Sequence, residues 1–343
     1  MNSADLKNEL ILKVVICLAM IVILVGCGGN ASMTGGTHTP PATPSVYVIQ
    51  EPATYFGSES GTILQFPQTA SGAVSPSASI AGPTGTLFEY LAADGAGNVY
   101  TSTRTQTSIG GILAYAAGAT GSATPVRNIP FNATTEINAI QGISVNSAGA
   151  ILVSTDFGGV GTFSATANGS VAPQSFILGA VQPGGGLSNL YSANNGVWDS
   201  AGNVYVENEF TTVDKGVVVF APGATGNVAP TRVLNQFNNG MVFDSAGNLY
   251  MTDGNEIEVF APGATGNDAP TRTISGALTG IGVLGGIALD ASGNIYVVST
   301  TGTGTDPTVL KFAAGASGNV APMSSFTSAA WTRPDYGYSI AVH

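Results

Sequence analysis

Charge is scarce in this 343-residue chain. Only 8% of its residues are charged, and nine lysines and arginines face twenty aspartates and glutamates, a net charge of −11. So few cations leave no basic patch for a polyanion, which argues against a nucleic-acid partner. Histidine and cysteine are equally thin, with two of each. His38 and His343 lie far apart in sequence, and no Ser/His/Asp set falls in suitable loops, which argues against nucleophilic catalysis. CxxC, HExxH and phosphate-binding glycine loops are absent. No convincing helical period follows residue 27, and the one long apolar run, Val14 to Val25, is short for a membrane span.

Repetition is what the chain has. Val197–Val206 reads VWDSAGNVYV and is followed by VVVFAPGATGNVAPTR; variants of the same phrase occur six times. One anchor is a tyrosine-like position at Tyr47, Tyr100, Leu152, Tyr205, Tyr250 and Tyr296. A second is an aromatic at Phe66, Tyr115, Phe163, Phe220, Phe260 and Phe312. A third is a proline at 76, 125, 173, 230, 270 and 322. A β-rich unit of about 45–53 residues, repeated in one order, is the mark of propeller blades.

Each unit reads as four short strands. In the fourth copy strand A covers 196–198, B covers 203–207, C covers 216–220, and D begins near Thr231. Asp199-Ser200-Ala201-Gly202 between A and B has the chemistry of a type I turn, with Asp at the first position and Gly at the fourth. Proline before each D strand suits an outer edge, and Arg127, Arg232 and Arg272 on D would blunt that edge. Gly142, Gly196, Gly240 and Gly286 on strand A suit the crowded axis. The final Ser339–His343 matches strand A, while Val46–Val48 matches strand B. The sequence therefore predicts an all-β, six-bladed propeller of four-stranded antiparallel blades, closed by pairing the last strand with the first ones.

Residues 1–27 read as a targeting segment. Leu24-Val25-Gly26-Cys27 resembles the bacterial lipobox, which implies a diacylated Cys27 at the mature N-terminus. Residues 28–45, rich in Gly, Thr and Pro, read as a flexible tether, and 46–343 as the propeller. These features give the expected address: a monomeric protein anchored by lipid to the bacterial cell envelope, on the periplasmic face of the outer membrane or the cell surface.

The D-x-x-G-N-hydrophobic-Tyr phrase, with Asp94, Asp199, Asp244 and Asp290 and departures at Asn146 and His343, resembles the six-bladed NHL-type propellers. Members of this superfold include lactonases, lyases, protein-binding scaffolds and extracellular sensors, so the resemblance implies a fold and leaves function to the site. The repeated aspartates read as turn caps.

Candidate binding residues lie where the copies differ. Five residues before each capping position stand Glu89, Gln141, Asn194, Asn239, Gly285 and Tyr338, a ring around the channel. Such a ring could hold a hard cation such as Ca²⁺. It is similar in kind to gluconolactonase-like propellers, which implies a metal-dependent lactonase or hydrolase as the alternative activity. The B–C loops and the segment near 331–336 offer a second, rim site: Glu51, Asp156, Glu207, Glu209, Asp253 and Glu256, with Trp331 and Tyr336 as aromatics. An acidic and aromatic rim suits a protein, a glycan or a small ligand. The leading expectation is a non-enzymatic binding or scaffold module with no resident cofactor.

Overall fold

The computed structural model describes residues 43–50, 60–105, 109–137, 139–155, 159–179, 188, 190–208, 216–236, 239–300, 307–331 and 339–343. Cys27, the apolar run and most of the tether lie outside them. Six sheets of four antiparallel strands follow one another in a ring, one of them extended by the two-residue strand Gly72–Ala73 running parallel to its outer strand, and among the described residues there is no α-helix. The first blade is built from Thr86–Ala93, Val99–Thr105, Ile109–Tyr115 and Arg127–Pro130. The second contains Ile140–Val145, Ile151–Thr155, Gly159–Phe163 and Ser175–Leu178. Ala193–Trp198, Val204–Asn208, Gly216–Phe220 and Arg232–Leu234 make the third. The fourth comprises Gly240–Phe243, Leu249–Asp253, Glu256–Phe260 and Arg272–Ile274. Val283–Leu289, Ile295–Thr300, Thr308–Phe312 and Ser324–Thr327 form the fifth.

The sixth blade joins the two ends. Its inner strand is Ile340–Val342, paired with Ser45–Gln50, which in turn pairs with Thr62–Pro67 and then Ala78–Ala81. Val46 lies opposite Val342, Tyr47 opposite Ala341 and Val48 opposite Ile340. Ser45 and His343 exchange two backbone hydrogen bonds of 2.7 and 3.0 Å. The ladder leaves no unpaired edge at the seam.

In the repeat read strand by strand, the second, third and outer strands match the sequence expectation to within a residue. The inner strand of the third blade starts three residues earlier than the glycine suggested, and each outer strand starts two residues after its proline. The residue after the proline makes the first ladder bond, as in Thr231 N–H to Val219 O at 2.7 Å. Proline therefore sits one place outside the ladder it cannot join.

Six hydrophobic clusters hold the wheel, one in each gap between neighbouring blades. The aromatic anchor of strand C contributes to every gap: Phe66, Tyr115, Phe163, Phe220, Phe260 and Phe312 are all 0% exposed. Burying each such side chain contributes about 1.5–3 kcal/mol. The inner-strand glycines answer to steric crowding. A Cβ on Gly142 would lie 2.8 Å from the Asn195 Cα of the next blade, and one on Gly240 3.2 Å from the Gly286 Cα.

The turn aspartates are saturated with hydrogen bonds. Asp94 Oδ1 accepts from the backbone of Ala96 and Asn98, and its Oδ2 accepts from the Asn98 amide and the Tyr100 hydroxyl at 2.8 and 2.9 Å. Asp199, Asp244 and Asp290 repeat the pattern. Burial raises the carboxyls of Asp244 and Asp290, but the donated hydrogen bonds outweigh it and hold both below the usual range. In the second blade Asn146 accepts only from Ala148 and Ala150 N–H. Ala150 and Leu152 there replace the Asn and Tyr that would need a second oxygen.

The outer strands are covered rather than exposed. The glycine of each C–D turn reaches sideways to the preceding blade's outer strand, as in Gly226 N–H to Phe176 O at 2.7 Å and Leu178 N–H to Gly226 O at 3.0 Å. The same bridge joins Ile80 with Gly121, Leu234 with Gly266, and Ile274 with Gly318. These glycines have φ between 59° and 72°, a left-handed conformation that favours Gly. The near-identity of the C–D turns follows from this lateral bridge.

The arginines also do something other than blunt an edge. Arg127, Arg232 and Arg272 lie over the rings of Tyr100, Tyr205 and Tyr250, 5.5 Å from each centroid. The pairing register explains it. Val197, Tyr205, Val219 and Arg232 stand in one row across the sheet, so the arginine extends over a small residue to the tyrosine.

Candidate functional site

A propeller's A–B and C–D turns occupy one face and its B–C and D–A connections the other. The variable residues therefore gather on the second face, around the mouth of the axial channel. The cavity along the axis holds about 220 Å³. Its wall is mostly aliphatic and glycine, with Tyr90, Ser144, Asn195 and Ser339 as polar exceptions.

Local irregularity decides which side chains meet at the mouth. The inner strands bulge where they begin: between Phe88 and Leu91, beside Gln141, between Ala193 and Gly196, and between Leu284 and Ile287. A bulge inserts an extra residue and re-aims its neighbours. As a result Tyr90 and Asn195, one place beyond the sequence-predicted Glu89 and Asn194, make the contacts between blades. The Tyr90 hydroxyl donates to Gln141 Oε1 at 3.1 Å. Asn195 Nδ2 donates to the Asn239 carbonyl at 3.2 Å and lies 3.5 Å from Glu207 Oε2. Asn239 Nδ2 donates to the Leu284 carbonyl at 3.1 Å, and the Leu91 N–H donates to Ser339 Oγ at 2.8 Å. A hydrogen-bonded collar passes from blade to blade.

Glu89 forms an ion pair with Arg104 at 2.9 Å. The cavity wall contains none of Glu89, Gln141, Asn194 and Asn239. Gly285 lies in a bulge, and Tyr338 is outside the described residues. Among the described residues no three His, Cys, Asp or Glu side chains come together as a metal site. Burial first, then the charges of Glu89 and Glu207, push the Tyr90 phenol up to about 12. It stays protonated at neutral pH and serves as a donor rather than a base.

The rim set divides. Glu51, Asp156, Glu209 and Tyr336 lie outside the described residues. Glu207 is 5% exposed and belongs to the collar rather than to the rim. Trp331 is 2% exposed, packs in the cluster between the fifth and sixth blades, and donates Nε1–H to the Ile49 carbonyl at 3.0 Å. It is a core residue, because the chain after the outer strand of the fifth blade turns inward there. Asp253 and Glu256 face each other across a tight turn, and Glu258 follows on the same side of its strand. Glu258 is 8% exposed with Oε2 unpaired. Burial, then Glu256 and Asp253, raise its carboxyl. The alternation Glu256-Ile257-Glu258 was a readable sign of it; Tyr90 and Asn195 were signalled by polar pairs, Glu89-Tyr90 and Asn194-Asn195.

No family model matches the chain, and no curated protein does. Solved structures do match. A protein of unknown function from Bacteroides caccae is similar at 12% identity and a TM-score of 0.56, covering 87% of this chain and 98% of that one. The WD40 β-propeller domain of Doa1 is similar at 12% identity and a TM-score of 0.48, covering 85% and 81%. The extracellular domain of a Bacteroides thetaiotaomicron protein assigned to a one-component system is similar at 17% identity and a TM-score of 0.45. That match covers 80% of this chain and 35% of the other, so this chain spans about a third of it. Identities this low concern the fold alone, and the fold is a six-bladed β-propeller.

Proposed function

We propose that this protein is a non-enzymatic binding module of the bacterial envelope, which takes a protein, glycan or small ligand at the channel mouth. The collar carries the reading: bulged inner strands present Tyr90, Gln141 and Asn195, and Glu207 and Asn239 join them by hydrogen bonds to Asn195, above an aliphatic shaft. Polar groups of fixed direction above an apolar floor are the makings of a small-ligand site. The tyrosine is protonated and Glu89 is paired, so the site favours recognition over proton transfer.

Binding to arrays of glycans and of basic peptides tests this reading, with Tyr90→Phe and Glu207→Gln compared against wild type. A hit weakened at least about tenfold, or 1.4 kcal/mol, by either variant supports it. A hit indifferent to both places binding elsewhere. Metal analysis with a Ca²⁺ and Zn²⁺ thermal-shift titration tests the hydrolase alternative. Stoichiometric metal released by Glu89→Ala would replace the binding reading with that one.

The address rests on Leu24–Cys27. In this proposal Cys27 carries diacylglycerol and residues 28–45 hold the propeller off the membrane. Metabolic labelling with an alkynyl palmitate should mark the wild type and not Cys27→Ser; equal labelling of both would remove the anchor.

A further inference from the structure

The gaps between blades differ in how their turn-face ends are filled. Between the first and second blades Arg127 covers Tyr100 and donates three bonds into the next blade. These run to the carbonyls of Ala167, Gly149 and Ser164, at 2.8, 3.1 and 2.9 Å. Between the fourth and fifth, Arg272 covers Tyr250 and donates to the Ala316 carbonyl, two residues before the bridging glycine just as Ala167 is, at 2.9 Å. Arg232 stands over Tyr205 between the third and fourth. Lys311 stands 4.9 Å from the Tyr296 centroid between the fifth and sixth. Between the sixth and first, Tyr47 and Gln65 occupy the row.

The second blade has none of these. Its row reads Ser144, Leu152, Thr162, Ser175. Thr162 and Ser175 merely hydrogen-bond to each other at 2.6 Å. A cavity of about 450 Å³ opens at this position. Its wall includes Thr162 and Ser175 on one side and Trp198, Gly202 and Ala224 on the other. Gly202 and Ala224 hold the places in the third blade that Gly149 and Ala167 hold in the second, so the backbone that receives Arg127 is repeated here. Trp198 adds an indole face, the best aromatic partner for a cation.

We propose that the gap between the second and third blades binds a guanidinium group, presented as the arginine side chain of a peptide. The repeated turns supply carbonyl acceptors, Trp198 supplies the π face, and Ser175 leaves the space that an arginine of the chain fills elsewhere. The acidic balance of the protein favours a cationic ligand. This site is on the face opposite the collar and does not depend on the reading given to it.

Trp198 reports on the site directly, since the chain has two tryptophans and the other, Trp331, is 2% exposed. The full chain is titrated with methylguanidinium, arginine amide and acetyl-Gly-Arg-Gly-amide, against methylammonium and NaCl at matched ionic strength. The expected result is a saturable change in emission and a rise in melting temperature with the guanidinium probes alone, the peptide binding at least as tightly as arginine amide. Ser175→Arg, which supplies its own guanidinium, should abolish the response, and Trp198→Leu should weaken it at least about tenfold by the loss of the cation–π contact. Arg127→Ser provides the positive control: it opens the equivalent cradle, and methylguanidinium should restore its stability. Rescue of Arg127→Ser without a saturable response in wild type overturns the proposal, as does an equal response to methylammonium or NaCl. Peptide binding more than about tenfold weaker than arginine amide would overturn the peptide source.

Discussion

The two faces of this propeller are built on opposite plans. On the turn face the same few residues recur: an aspartate with four donors, a tyrosine beneath a cation, and a glycine bridging to the blade behind. On the channel-mouth face the described side chains vary from blade to blade, with asparagine shared by the third and fourth, and contacts pass between dissimilar partners such as Tyr90 and Gln141. The lesson is that repetition here marks structural duty, and variation marks where a ligand would be read.

Removing residues 338–343 should have the largest effect, because both faces depend on the seam. Deletion exposes the Val46, Tyr47 and Val48 edge and takes out the buried Ile340 and Ala341. A fall in melting temperature of more than about 10 °C is expected from the loss of several kcal/mol. An unchanged transition would show that the ring does not need its clasp.

Next come the turn caps. Asp244→Ala should cost about 2–3 kcal/mol by denaturant unfolding, since four hydrogen bonds lose their acceptor. Asn146→Ala should cost about 1 kcal/mol, because only two are lost. Equal costs would dissolve the distinction between the second blade and the others.

Acid should separate the faces. Asp244 and Asp290 have folded values below their usual 3.8, so their contribution is complete above that pH and is lost as pH falls through the depressed values. Glu258 has the opposite sign. Its carboxyl is raised above 4.5, so its ionisation costs stability at neutral pH and not below about 4.5. Glu258→Gln should therefore raise the melting temperature at pH 7 and leave it unchanged at pH 4, as seen in thermal melts across that range. A gain at both pH values would show packing rather than charge at work.

The smallest effect on stability should come from the collar. Tyr90→Phe and Asn195→Ala each should cost under about 1 kcal/mol, the loss of one or two hydrogen bonds at a part-open site. If either variant unfolds the protein, the collar is scaffold and the contrast between the faces fails.

What the amino-acid sequence revealed was what short range determines. An aspartate binding residues two, four and six places ahead, a period of strands and an aromatic at a fixed step are local, and all are readable. The collar was readable only in outline, because one-residue bulges bring Tyr90, next to Glu89, and Asn195, next to Asn194, into contact with the neighbouring blade. The destination of Arg127 in the next blade depends on packing between units about 40 residues apart. Trp331 looked like rim because nothing nearby in sequence announces the carbonyl of Ile49 that receives it.

The seam also sets an order of assembly. Gln68 and the His343 carbonyl that it meets are separated by 275 residues. Strand Ser45–Gln50 emerges first and cannot find its inner neighbour until the strand at 340–342 has been made. Until these strands pair, one flank of the wheel stays bare, the kind of sticky ladder that chaperones cover. The domain is thus finished in a single late step, and its solubility before that step depends on whatever shields Val46, Tyr47 and Val48.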